Sequence, residues 1–223
     1  MYAKTLTIRE NILGANAKKA ETTRKLLDSH HTLMINIMSS PGSGKTSVIL
    51  RTIERLGHKH QIAVIEGNIA SSLDGEKIAR HKVRAIEINA VGGCHLDAQM
   101  IGKALDSLDL DRVDLIFIEN VGNLVCTADF DLGAHKNIVI LSIPEGDDKP
   151  CKYPVIFVEA DVVLANKMDV LPYFDFDLDA FAEIIKGFNP SAKVFPVSAK
   201  TGDGMDRWFS WIEEALEQPP GVN

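Results

Sequence analysis

The chain has 223 residues, 45% of them hydrophobic and 25% charged, and a formal net charge of −7. That length suits one α/β domain with an appendage and a sizeable buried core, and the acidic balance argues against a nucleic-acid-binding surface. No apolar run approaches the roughly 20 residues of a membrane span, and the N-terminal segment lacks the apolar stretch and cleavage site of a signal peptide.

These features predict a cytoplasmic protein with neither a nucleic acid nor a membrane as partner. Disulfides are rare in that compartment. The three cysteines, Cys94, Cys126 and Cys151, are an odd number, so thiol or metal chemistry is favoured over cross-linking.

Residues 5–30 are charged and helix-favouring, with apolar Ile8, Ile12, Leu13, Leu26 and Leu27. They predict one helix, or two broken at Gly14, packed on the outside of the domain. Short β-branched runs then alternate with helix-length stretches, at 33–38, 62–66, 84–89, 114–119, 137–143, 161–166 and 193–198. Most are apolar without alternation, as in strands covered on both faces. Repeated strand, helix and strand give a P-loop type α/β fold: a mostly parallel sheet of about seven strands flanked by helices, with right-handed crossovers. A last amphipathic helix, 205–216, sets Trp208, Trp211, Ile212 and Leu216 at helical spacing. The expected organisation is a helical extension over 1–30, a nucleotide-binding domain over 31–217 and a flexible tail over 218–223.

The first strand runs into "SSPGSGKTS", residues 39–47, and a helical "VILRTIERL". A loop that cradles phosphate needs small residues so that successive N–H groups turn inward, a Lys that reaches the terminal phosphates, and a hydroxyl for Mg²⁺. Gly42, Ser43, Gly44, Lys45, Thr46 and Ser47 meet that need, with Ser39 standing where the full pattern has Gly.

The base is indicated further along. "NKMD" (166–169) and "SAKTG" (198–202) end two later strands. A carboxylate such as Asp169 accepts two hydrogen bonds from guanine, whereas adenine lacks that donor pair and would leave it unpaired. Asn166 suits the N7 edge, Lys167 the ring face and the Ala199 N–H the guanine oxygen, with Ser198 and Lys200 completing the motif. The expected ligand is therefore GTP or GDP with Mg²⁺, not ATP.

The fourth strand ends in "FIENVGN", which places Glu119 where a carboxylate binds Mg²⁺ directly or through water. Gly122 follows three residues on. In "EGNIASSLDGEKIA", Asp74 is read as a Mg²⁺ or attacking-water residue, with a helix N-cap as the alternative. Lys45, Asp74 and Glu119 are thus the expected catalytic set, and Thr46, Asp74 and Glu119 the expected Mg²⁺ ligands.

Cys94 and His95 follow the third strand and Cys126 the fourth, so all three fall at the C-terminal edge of the sheet, where ligands of open α/β sheets collect. Thiolate and imidazole suit Zn²⁺ and Ni²⁺, although scattered Cys and His residues also serve as core packing. Here "GCHLDAQM", "FIENVGNLVC", "FDLGAHKNIVILSIPEGDDKPCKYP" and "NKMDVLPY" together resemble the HypB family of nickel-insertion GTPases, accessory proteins of nickel–iron hydrogenase maturation. The resemblance covers about residues 35–211.

It implies a slow GTPase of the SIMIBI class and a GTP-dependent homodimer. It implies a Ni²⁺ and/or Zn²⁺ site at Cys94, His95 and Cys126, shared across the dimer, and nickel delivery to a hydrogenase large-subunit precursor with a companion nickel-maturation protein. The sequence departs from the family in lacking an N-terminal Cys-rich motif or His tract, His30-His31 being only a pair, and in carrying Asn68 where Asp is usual. Cys151 is read as structural and His135 as a surface side chain, not a fourth ligand. A urease nickel-insertion GTPase is a rival, but it typically reads Cys-Pro-His where this chain has contiguous Cys94-His95. A regulatory GTP switch with structural cysteines is the other.

Overall fold

Seven runs rich in Val, Ile and Leu form one parallel sheet in the computed structural model, which describes residues 8–68, 83–90 and 93–218. The strands are β1 (Leu33–Ser39), β2 (Ile62–Asn68), β3 (Arg84–Asn89), β4 (Leu115–Gly122), β5 (Lys136–Ser142), β6 (Val162–Asn166) and β7 (Lys193–Pro196). Their spatial order is β3-β2-β4-β1-β5-β6-β7, and every pairing is parallel. Central β1 is buried along its whole length, which explains why its sequence does not alternate. Edge strand β3 mixes exposed and half-buried residues.

The helices are α1 (Ile8–Ser29), α2 (Lys45–Leu56), α3 (Ala98–Leu105), α4 (Lys149–Lys152), α5 (Pro154–Val158), α6 (Leu178–Phe188) and α7 (Met205–Glu217). On one face, α2 and α7 pack onto Ile35, Ile37, Val64, Phe117 and Ile140. Trp208 is buried in that layer, and its indole N–H donates to Thr52 Oγ1 at 2.9 Å. The one polar atom of the ring is thereby satisfied inside the core. On the other face α1 and α3 cover β2 and β4, while α5 and α6 cover β5 and β6.

Helix α1 is continuous through Gly14. Its docking stripe differs from the predicted one: Ile12 and Leu26 are 52% and 40% exposed, whereas Ala20, Thr23 and Leu27 are buried. Ala20 and Thr23 receive Gly133, where a Cβ would fall 2.6 Å from the Ala20 carbonyl oxygen. An alanine and a threonine carry little hydrophobic signal, so of the apolar residues singled out Leu27 docks while Ile12 and Leu26 stay exposed.

His135 also departs from expectation, since its side chain is only 8% exposed. Nδ1 accepts the Met34 N–H at 2.9 Å, and Nε2 lies 3.2 Å from Asp28 Oδ1. An accepting Nδ1 leaves the proton on Nε2, directed at the carboxylate. Burial pushes the pKa of this imidazole below the ordinary histidine value, with Asp28 acting in the opposite sense.

A group that binds protons less readily when folded stabilises the protein above its unfolded pKa and loses that contribution as pH falls through the folded one. Thermal stability is therefore expected to fall between about pH 7 and pH 5. His135→Gln, which keeps an acceptor for Met34 without titrating, flattens that part of the melting-temperature profile.

Candidate functional site

The phosphate loop joins β1 to α2. Gly44 caps α2 at φ +102°, a conformation that side chains rarely adopt. A Cβ there would fall 2.5 Å from Asn166 Nδ2. Lys45 Nζ donates to Ser39 Oγ at 3.0 Å, and that hydroxyl donates to the Ser40 carbonyl at 2.6 Å. Ser39, the departure from the usual glycine, is fully buried and helps to seat the lysine. Ser43 Oγ lies 2.9 Å from the Ser40 carbonyl and 2.7 Å from Glu145 Oε1. The N-terminal N–H groups of α2 face this loop and favour negative charge. Ser47, on the first turn of α2, is exposed.

The base loops close on the phosphate loop through one carboxamide. Asn166, 2% exposed, donates to the Ser43 carbonyl at 2.8 Å and accepts the Ala199 N–H at 3.1 Å. Lys167 has φ +65°, and its ammonium donates to the Gly42 carbonyl at 2.7 Å. Asp169 Oδ1 accepts the Ser198 hydroxyl at 2.7 Å, and Lys200 Nζ lies 3.7 Å from Oδ2. The Ser198 hydroxyl holds the Asp169 carboxyl below the ordinary aspartate range, aided by Lys200. The loop that carries Ala199 and Lys200 is anchored by Arg51 of α2, which donates to both of their carbonyls at 2.9 Å. Sequence reading misses Arg51, because one arginine in a charged helix gives no signal.

Thr46 and Glu119 are brought together, the hydroxyl donating to Glu119 Oε1 at 2.6 Å. After Glu119 the β1–β4 register shifts: Ile37 faces Glu119, yet Ser39 faces Gly122. Strand β4 therefore holds one extra residue, and such bulges re-aim chains beside functional sites. A buried amide ladder runs across the sheet here, Asn120 donating to Asn36 at 3.1 Å and Asn36 to Asn137 at 3.0 Å. Glu66 is buried on β2 and in register with Glu119, a second carboxylate beside the first that sequence reading leaves inside a strand. Asp74 and Gly92 lie outside the described residues.

Cys94, His95 and Cys126 meet at the same edge, all half-buried. Cys94 Sγ lies 3.6 Å from His95 Nδ1. A hydrogen bond with Cys94, followed by burial, holds the Cys126 thiol above its ordinary range. His95 stacks on Phe130, with ring centroids 3.8 Å apart and 17° between planes. Among the described residues, no three His, Cys, Asp or Glu side chains form a ready-made metal cage. The imidazole is held by an aromatic neighbour.

Two asparagines shape these loops. Asn123 Oδ1 accepts the Val125 and Cys126 N–H groups at 2.7 and 3.0 Å. Asn16 of α1 accepts the Ala98 N–H at 2.8 Å and donates to the Asp131 carbonyl at 2.7 Å, so it clips the Cys94 loop to the Cys126 loop. Nothing in the sequence marks Asn16. Cys151 is exposed on α4, which corrects its reading as a structural cysteine: a helix of four residues presents it to the surface instead of the core.

Arg51→Ala removes both anchors of the 199–200 loop. Hydrogen bonds of this kind contribute about 1 kcal/mol net. Guanine-nucleotide affinity is expected to weaken about fivefold with the melting temperature little changed, as measured by fluorescent-nucleotide titration.

The CobW/HypB/UreG nucleotide-binding domain matches residues 33–196. The Hydrogenase maturation factor HypB of Azotobacter vinelandii is 47% identical over 211 residues, covering 95% of this chain and 70% of that protein. The crystal structure of Hydrogenase Maturation Factor HypB from Archaeoglobus fulgidus superposes with a TM-score of 0.86 at 39% identity, covering 92% of this chain and all of that one. HypB from Helicobacter pylori in complex with nickel superposes with a TM-score of 0.87 at 33% identity, covering 94% and 99%. Breadth of coverage, identity and fold agree, and the chain belongs to the HypB hydrogenase maturation factors of the CobW/HypB/UreG nucleotide-binding family.

Proposed function

We propose that this protein is a GTP-hydrolysing metallochaperone. It binds nickel, with zinc as the alternative resting ion, and delivers nickel during hydrogenase maturation in the cytoplasm. The observation that carries this reading is the meeting of Cys94, His95 and Cys126 on loops that leave the same sheet edge as the phosphate loop and Glu119. A HypB neighbour in complex with nickel supports the choice of ion.

In this reading GTP lies along the loop from Gly42 to Ser47, with Lys45 neutralising the terminal phosphates. Asp169, kept ionised by Ser198, accepts from guanine, and Asn166 and Ala199 face the base edge. Thr46 and Glu119 would hold Mg²⁺, joined by Asp74, and the ion when bound neutralises charge on the phosphate oxygens. Asp74 is also the residue proposed to orient the attacking water. Lys45 and the phosphate-loop N–H groups stabilise charge that grows on the transferred phosphoryl group.

Two thiols and one imidazole are three donors, one short of a tetrahedral set. A second copy across a two-fold axis would bring six potential ligands together, so the site is proposed to be shared in a GTP-dependent homodimer. A hydrogenase large-subunit precursor and a companion nickel-maturation protein are the proposed partners. The proposed boundaries are those of the sequence: an extension over 1–30, the GTPase domain over 31–217 and a tail beyond.

Calorimetric titration of nickel in GDP and in a non-hydrolysable GTP analogue is the test. Nickel affinity is expected to differ between the two states, and Cys94→Ala to lower it at least about tenfold, given the weight of a thiolate ligand. Equal affinities in both states would remove the linkage from this reading.

A further inference from the structure

We propose that Leu96 and Gly122 are positioning residues that couple the nucleotide loops to the thiols, each through one close-packed contact. The inference rests on the metal-site reading above and names what carries its linkage.

Leu96 follows His95 directly and is wholly buried. It lies against Gly67, the penultimate residue of β2: a Cβ at Gly67 would fall 2.8 Å from Leu96 Cδ1 and 2.9 Å from Cγ. Only a residue without a side chain lets this leucine seat there. Gly67 follows Glu66, which stands in register with Glu119, the carboxylate that accepts the Thr46 hydroxyl. A shift of that strand end meets Leu96 first, and Leu96 is one peptide from the imidazole and two from the Cys94 thiol.

The second contact serves the other thiol. Gly122 closes β4 after the bulge, and a Cβ there would fall 3.0 Å from Cα, Cγ and N of Pro41. Pro41 belongs to the phosphate loop, between Ser40, whose carbonyl accepts from Ser39, and Gly42. Immediately after Gly122 comes Asn123, whose amide oxygen fixes the Cys126 N–H. Movement of the phosphate loop at Pro41 therefore displaces the base of the Cys126 turn.

Close-packed contacts of this kind transmit small displacements, because an interior at crystal-like density leaves no slack to absorb them. The two routes converge on the loops that carry Cys94 and Cys126. Asn16 joins the two loops to each other but touches neither nucleotide segment in the bonds it makes. It supplies the contrast the test requires: a change in metal affinity without a change in coupling.

The experiment measures nickel dissociation constants at saturating GDP and at saturating GTP analogue, with thiolate-to-nickel absorption as a second readout. The full chain is compared with Leu96→Val, Gly122→Ala and Asn16→Ala. In Leu96→Val and Gly122→Ala the ratio of the two constants is expected to shrink at least about threefold, within the usual range of coupling. In Asn16→Ala both constants rise together and the ratio stays within about a factor of two. Where Gly122→Ala does not fold, Pro41→Ala trims the same contact from its exposed side.

A wild-type ratio far from one that persists unchanged in Leu96→Val and in the Gly122–Pro41 variant overturns this inference and leaves the metal site standing. A wild-type ratio of one overturns the linkage itself, and this inference with it.

Discussion

All seven strands point the same way, and that single constraint places every chemically active loop of the described chain at one edge. Parallel strands need crossovers, so successive C-terminal ends gather while the connecting helices occupy the two faces. The phosphate loop after β1, the thiol loops after β3 and β4, and the base loops after β6 and β7 become neighbours without any long excursion of the chain. Burial secures the arrangement. Strands β1 and β6 are covered throughout, and a slip by one residue would turn their apolar side chains against the wrong helices.

Within that edge the two parts of the nucleotide site are welded by Asn166. Its amide donates one N–H to the Ser43 carbonyl and accepts the Ala199 N–H, so the phosphate and base loops share one rigid reference. The dependence on Gly44 is mutual, since a side chain there would occupy the place of the Asn166 amide nitrogen. The thiol loops are tied differently, to each other through Asn16 and to the nucleotide loops through packing at Gly67 and Gly122. Hydrogen bonds fix the first site; close contacts, which respond to displacement, border the second.

The legible parts of this architecture are those in which chemistry dictates residue type at fixed spacing. Short β-branched runs, most of them continuously apolar, mark all seven strands, and the groups of the phosphate loop, "NKMD" and "SAK" meet in space as their order suggests. The Thr46–Glu119 contact and the Cys94–Cys126 pair likewise join residues singled out from the sequence. What stayed hidden depends on partners far along the chain. Arg51 and Asn16 act through backbone groups that no pattern announces. The docking stripe of α1 adds the small Ala20 and Thr23 to Leu27, and His135 is buried because β5 starts beside Met34 and the Asp28 carboxylate lies across from it. Asp74 falls outside the described residues, so the Thr46–Glu119 pair carries the structural account of that corner.

If Cys94, His95 and Cys126 form a metal site as proposed, the stacked imidazole bears on how that site would let go of an ion. A fully preorganised cage binds tightly and releases slowly, since no ligand must move to form it and none moves readily to open it. Here Cys94 and burial keep the Cys126 thiol protonated more firmly than usual, and binding a metal there would release that proton. The imidazole is held on the Phe130 ring, and it must trade stacking for coordination when it turns. Each exchange would offset part of the binding free energy and so keep the proposed cargo site within reach of release. Rigid loops around the nucleotide and exchangeable partners around the thiols are the division that the proposed carrier of metal would require.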